Sequence, residues 1–220
     1  MTESGTVHPR DARHGAAFHR VLAALLALVV TGFTTPAHSA ADDIETRPAA
    51  SPKREWIAYG GRMSSEATWQ KIITGPGNAE WTDTWLAVAG VIEHTPWTFM
   101  GFEWEREFNV ARYLGDQDHW EFNVAPLVAR WTRMPFRDRV RSSVAFGLGL
   151  SYATVVPPVE VELEETSERL LVFWMMELAL SPPDADWAVS MRIHHRSGAF
   201  GLVAEAGGMN AVTLGLRRRF

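Results

Sequence analysis

Residues 139–153 read RVRSSVAFGLGLSYA, and this stretch decides the fold. Val140, Ser142, Val144, Phe146, Leu148, Leu150 and Tyr152 fall on one face; Arg141, Ser143, Ala145, Gly147, Gly149 and Ser151 fall on the other. Strict alternation is the mark of a strand with two different faces. It recurs at Met100, Phe102, Trp104, Phe108 and Val110, set against Glu103, Glu105, Glu107 and Asn109. Trp120, Phe122, Val124 and Val128 alternate with Glu121, Asn123 and Ala125, and Val212, Leu214, Leu216 and Phe220 with Ala211, Thr213, Gly215, Arg217 and Arg219. In a soluble, lipocalin-like barrel the large apolar residues point inward; in a membrane barrel they face lipid, and small or polar residues fill the lumen. The small-and-charged second face suits a crowded interior, and the segments reach the roughly 9–11 residues that a tilted spanning strand needs.

Eight such segments lie near 55–62, 83–92, 98–112, 118–131, 139–153, 169–180, 186–197 and 209–220. The expected fold is all-β, an eight-stranded antiparallel transmembrane barrel of the outer-membrane kind, over residues 55–220. With both ends periplasmic, the second, fourth and sixth connections should be short turns: 93–97, 132–138 and 181–186. Trp97, Trp131 and Trp187 then fall at the periplasmic ends, where an aromatic girdle sits. A final Phe220 closing an alternating strand resembles the C-terminal signature of bacterial outer-membrane barrels. Two features break the pattern: Pro126 inside the fourth strand, where a bulge is expected, and Arg106 and Arg218 on the lipid-facing track.

Upstream, Arg10, Arg13 and Arg20 precede the apolar run from Val21 to Val30, and Ala37-His38-Ser39-Ala40-Ala41 follows. That order is a Sec-type signal peptide over 1–40, with a polar leader at 41–54. The alternative, a retained membrane anchor, needs a run of about 20 residues. The net charge of -5 and the lack of a basic block give no sign of nucleic acid as a partner, and none is expected. With no cysteine there is no disulfide framework, thiolate metal site or cysteine nucleophile.

An eight-stranded barrel is filled by its own side chains. Glu103, Glu105, Glu107, Glu121, Arg141, Glu177, Arg192 and Arg196 are expected to pair in the lumen. The odd segment is 187–197. Its lipid-facing track runs Trp187, Val189, Met191, Ile193 and then His195 and Ser197. Polar residues there are costly, and at roughly 7 Å between Cα atoms they can act as base and nucleophile of an acyl hydrolase. The plain alternative is that they mark the membrane interface.

The segment Arg192-Ile193-His194-His195-Arg196-Ser197 on the penultimate strand resembles the lipid A 3-O-deacylase (PagL-like) family, as an uncharacterised branch. Gly149 to Thr154 with Val156-Pro157, and the ending Leu214 to Phe220, carry the likeness further; it covers about residues 55–220. The resemblance implies a barrel in the bacterial outer membrane that hydrolyses the ester-linked acyl chain at the 3-position of lipid A. It implies lipopolysaccharide in the outer leaflet as partner, no cofactor and no metal; a homodimer stays open. It implies Ser197 as nucleophile and His195 as base. The family motif reads His-x-Ser-Asn, and Gly198 stands where the Asn would be; Asn210 is the candidate for the oxyanion in its place. Glu205 is the candidate for the acid that orients the imidazole, with Glu160 or Glu162 as substitutes, and His194 should point into the lumen. Two other functions remain open: a non-catalytic barrel of the same fold, and a periplasmic barrel that binds a ligand in its lumen.

Overall fold

The computed structural model describes residues 53–65, 69–74, 79–135, 138–199 and 201–220. The expected signal peptide at 1–40 and nearly all of the expected leader at 41–54 lie outside these residues; Arg54 belongs to the first strand. Eight strands follow: β1 (Arg54–Ser64), β2 (Trp81–Phe99), β3 (Phe102–Leu114), β4 (His119–Trp131), β5 (Arg141–Ala153), β6 (Leu170–Ser181), β7 (Trp187–Ser197) and β8 (Gly208–Arg219). Each pairs antiparallel with its neighbour, and β8 pairs with β1 to close the barrel. Among the described residues, two short helices lie in the connections, α1 (Trp69–Thr74) and α2 (Pro158–Glu164).

The barrel is apolar outside, and its interior combines small and charged residues with a buried apolar cluster that includes Ile57, Tyr59, Met63, Leu86, Val88 and Ile92. Along β5, Ala145, Gly147, Gly149, Ser151 and Ala153 are buried, while Val144, Phe146, Leu148 and Tyr152 are exposed. A soluble barrel reverses this arrangement; a membrane barrel requires it. Aromatic residues ring both ends. Trp97, Trp131 and Trp187 are exposed near the chain termini, and Trp85, Trp120 and Tyr152 near the opposite, distal end. Arginines lie over four of them: Arg106 on Trp97, Arg62 on Trp85, Arg112 on Trp120 and Arg169 on Tyr152, with the guanidinium carbons 4.8–5.5 Å from the ring centres. Arg106 therefore does face outward, with its guanidinium over a girdle tryptophan and 4.0 Å from Glu93. Arg218 pairs with Asp186 at the terminal rim.

Pro126 sits in a bulge. Glu105 and Glu107 of β3 pair with Val128 and Ala125, so β4 carries one extra residue there, and its register to β5 shifts at the same place. Proline has no N–H to give the ladder, so it tolerates the interruption. Residues 93–97 are not a turn: β2 runs on to Phe99, with a register break between His94 and Thr98 around Pro96. The proline and the break give that stretch its turn-like reading. The reversal is the two-residue pair Met100-Gly101, both at positive φ (54° and 82°), as the tightest hairpins require.

The lumen holds an ion-pair network that is larger than the sequence suggests. Glu177 accepts from Arg130 and Arg217 at 2.7 Å, from Ser190 at 2.8 Å and from Arg192 at 2.5 Å. Arg192 also forks onto Glu107 at 2.7 and 2.9 Å, and Arg130 onto Glu105 at 2.7 and 3.0 Å. Arg217 reaches Glu55 at 2.6 Å. Toward the distal end, Asn109 and Asn123 link Glu107 to Glu121, which takes His194 at 2.8 Å and Arg196 at 3.3 Å. Two expected members lie outside this network. Glu103 is exposed and accepts from Thr132, and Arg141 sits at the terminal mouth on Ser181 and Ala185.

Two substitutions test this architecture. Arg192→Met strips two buried carboxylates of a partner, and such losses cost about 3–5 kcal/mol; urea unfolding in lipid vesicles, followed by tryptophan fluorescence, should show a drop of that order. Leu148→Arg should destabilise the vesicle-inserted barrel by about 2–4 kcal/mol, whereas an exposed leucine of a water-facing barrel accepts the change at little cost.

Candidate active site on the outer wall

Alternation sends adjacent histidines of β7 in opposite directions. His194 points into the lumen, where Nδ1 meets Tyr59 Oη at 3.0 Å and Nε2 meets Glu121 Oε1 at 2.8 Å. His195 points outward, on the track of Met191 and Ile193. It is nevertheless only 9 % exposed, because the wall is covered there. Trp174 of β6 packs on its ring at 4.3 Å between centroids, and Trp69 of α1 meets Trp174 edge-on at 6.0 Å. A helix of the first connection thus lies against the outer face of β6 and β7.

Asn210 pairs with His195 across the β7–β8 ladder, and its Oδ1 lies 2.8 Å from His195 Nδ1. An amide oxygen only accepts, so Nδ1 carries the proton and the Nε2 lone pair is left to act as a base. Asn210 is itself buried. Among the described residues, the side chain that hydrogen-bonds His195 Nδ1 is Asn210 and not Glu205. The residue offered by the sequence for the oxyanion thus stands behind the imidazole. Glu205 lines the same cavity without that bond.

His195, Ser197, Asn210 and Glu205 line one cavity of about 380 Å³, roofed by Trp69 and Gln70 of α1 and by Leu163 and Glu164 of α2. Ser197 Oγ accepts from the Ala199 N–H at 3.4 Å. Gly198 explains the missing asparagine of the His-x-Ser-Asn pattern: a Cβ at this position would lie 2.4 Å from the Ala204 carbonyl oxygen. The turn folds back on itself here, with Val203 and Ala204 both donating to Gly198 O. Two residues along β7, Ile193 lines a second, apolar recess of about 710 Å³ with Ile72, Ile73, Met176, Met191 and Val212. The sequence gives no sign of this recess, because it forms between α1 and the barrel wall.

Glu160, the alternative acid, belongs to the lumen side. It is fully buried under α2, accepts from Ser167 at 2.5 Å and lies 3.2 Å from Arg196 Nε without hydrogen-bond alignment. Burial pushes its carboxyl up to about 7; Arg196 opposes this, but that guanidinium is shared with Glu121. Glu162 lies on the exposed side of α2.

The fold and this site define a membrane-type barrel with a histidine, a serine and an asparagine gathered on its outer wall. No protein-family model matches the chain, and a search of curated proteins finds no match. Among solved structures, the chain is similar to a crystal structure of the outer membrane enzyme PagL, with a TM-score of 0.48 and 13% identity over 74% of this chain and 98% of that one.

The raised Glu160 sets a pH dependence for the docking of α2. The docked helix holds a proton that the undocked helix releases. Docking is therefore strongest below the ordinary value of 4.5 and weakens as pH rises through about 7. Hydrogen exchange of the amides of 159–164 should rise between pH 5.5 and 8 by more than the intrinsic rate does, and Glu160→Gln should remove the excess.

Proposed function

We propose that the protein is an outer-membrane acyl-ester hydrolase acting on lipids of the outer leaflet, in the manner of the lipid A 3-O-deacylases whose His-x-Ser pattern β7 carries at His195 and Ser197. The observation that carries this reading is the His195–Asn210 hydrogen bond on the outer wall, in the cavity that Ser197 also lines. A histidine on the outward track of the wall, covered by Trp174 and held in a fixed tautomer by a buried amide, is poised for proton transfer.

In this mechanism Ser197 Oγ attacks the ester carbonyl and His195 Nε2 takes its proton. The tetrahedral intermediate collapses with loss of the alcohol, which receives that proton from His195, and water then releases the fatty acid from the serine. Asn210 fixes the ring through Nδ1, the part usually taken by a carboxylate; being neutral, it positions the imidazole but adds little to the stability of its cation. The recess under α1 suits one acyl chain, since it begins two residues from His195 and opens on the apolar wall. The polar cavity then takes the ester, and the distal end faces outward with both termini periplasmic.

A non-catalytic barrel has one observation in its favour: Ser197 Oγ accepts from a backbone N–H instead of meeting the imidazole. Resting catalytic bonds are often loose and tighten only with substrate. Mass spectrometry of lipid A separates the two readings. A diderm host expressing the wild-type chain should lose one hydroxyacyl chain, and the Ser197→Ala chain, folded and inserted, should leave the mass unchanged. An unchanged mass with the wild-type chain removes lipid A as the substrate there. Asn210→Ala should keep the barrel intact and lower the rate by roughly 10²-fold or more, because the imidazole can then turn.

A further inference from the structure

The surroundings of Ser197 carry charge of one sign. Apart from His195, the ionisable residues lining the cavity are Glu164 and Glu205, and no described lysine or arginine lines it. The cations nearby are engaged elsewhere. Arg196 is sealed in the lumen on Glu121, Arg169 donates to Ala153 O and to Tyr152, and Arg62 pairs with Asp83. Lys71, exposed on α1, does not line the cavity. The connections 65–80, 115–118, 154–169 and 198–207 contain ten carboxylates, one of them the buried Glu160, and two bases, Lys71 and Arg169; Arg62 and Arg112 add two cations at the distal girdle.

A site built for a phosphorylated headgroup places arginine or lysine where the phosphate lies, because a phosphate held against carboxylates is repelled through a partly desolvated medium. Resting on the hydrolase reading above, we infer that this site selects acyl esters whose alcohol portion is uncharged or cationic next to the scissile carbonyl. Esters with a phosphate beside the reacting carbon are excluded. A phosphorylated glycolipid qualifies only at an acyl position away from its phosphates. Each carboxylate within reach of such a phosphate contributes discrimination of roughly tenfold. Glu164 sits at the end of α2 in the roof of the same cavity, so it bears on selectivity through its charge.

Three esters of one acyl chain test this: 1-myristoylglycerol, 1-myristoylglycerol 3-phosphate and myristoylcholine, with myristate release measured for the full barrel in an uncharged detergent, in magnesium and in chelator. The expected result is a kcat/KM for the glycerol and choline esters at least about tenfold above that for the phosphate ester. Glu164→Lys should narrow that gap by about tenfold or more, read as the ratio of the two kcat/KM values so that any general change in rate cancels. Equal cleavage of the phosphate and glycerol esters in either condition, or a gap that Glu164→Lys leaves untouched, overturns the inference while the hydrolase reading stands. Failure of the wild-type chain to release more myristate than Ser197→Ala from any of the three overturns both.

Discussion

Closing eight strands into a barrel leaves an interior that is too narrow to hold water in bulk yet is lined by every second residue of every strand, and Glu177 is where this constraint is met. A lone carboxylate at that depth would be unsustainable, and three arginines from three different strands converge on it: Arg130, Arg192 and Arg217. Each of them also holds a second carboxylate, so the network ties β1, β3, β4, β6, β7 and β8 together through the centre. Shifting any one strand by a residue would turn its lumen charges to lipid and its apolar residues inward. The network therefore fixes register as much as it fills space.

The position of the outer-wall site follows from this. Arg192, His194 and Arg196 are held inside by Glu177, Glu107 and Glu121, which leaves Ile193, His195 and Ser197 no other direction than outward. Neighbouring histidines are thus given different surroundings by the pleat alone. One is locked between a phenol and a carboxylate, the other between an indole and an amide.

Alternation made most of this legible in the sequence. The strand count, the closed barrel, the outward track ending at His195 and Ser197, and the bulge at Pro126 all follow from period-two patterning and the chemistry of proline. The lumen partners were only half legible. Glu105, Glu107, Glu121, Glu177, Arg192 and Arg196 stand out as charges on an inward track, but Arg130 is reached only after the extra residue of the Pro126 bulge, and Glu55 and Arg217 lie near strand ends. Glu103 looked identical to Glu105 by parity and lies outside the network, because it sits beside the Met100-Gly101 turn and reaches Thr132 instead. The covering of the wall by α1 was not legible at all: a six-residue helix shows no periodicity, and its position depends on where Trp174 stands on another strand.

The site differs in kind from the barrel that carries it. Asn210 reaches His195 because two strands happen to pair those positions, and Gly198 is dictated by the Ala204 carbonyl that the following turn brings close. Both are local consequences of ladder register and turn closure, and neither touches the ion pairs of the lumen. A pattern that expects Asn after the serine and an acid behind the histidine fails here for steric reasons: there is no room for a side chain at 198, and the ring nitrogen is already met across the ladder. The neutral partner then has a chemical consequence. An imidazolium backed by an amide is less stabilised than one backed by a carboxylate. In the proposed hydrolase, His195 would accordingly depend on positioning by Trp174 and Asn210 more than on a charged partner.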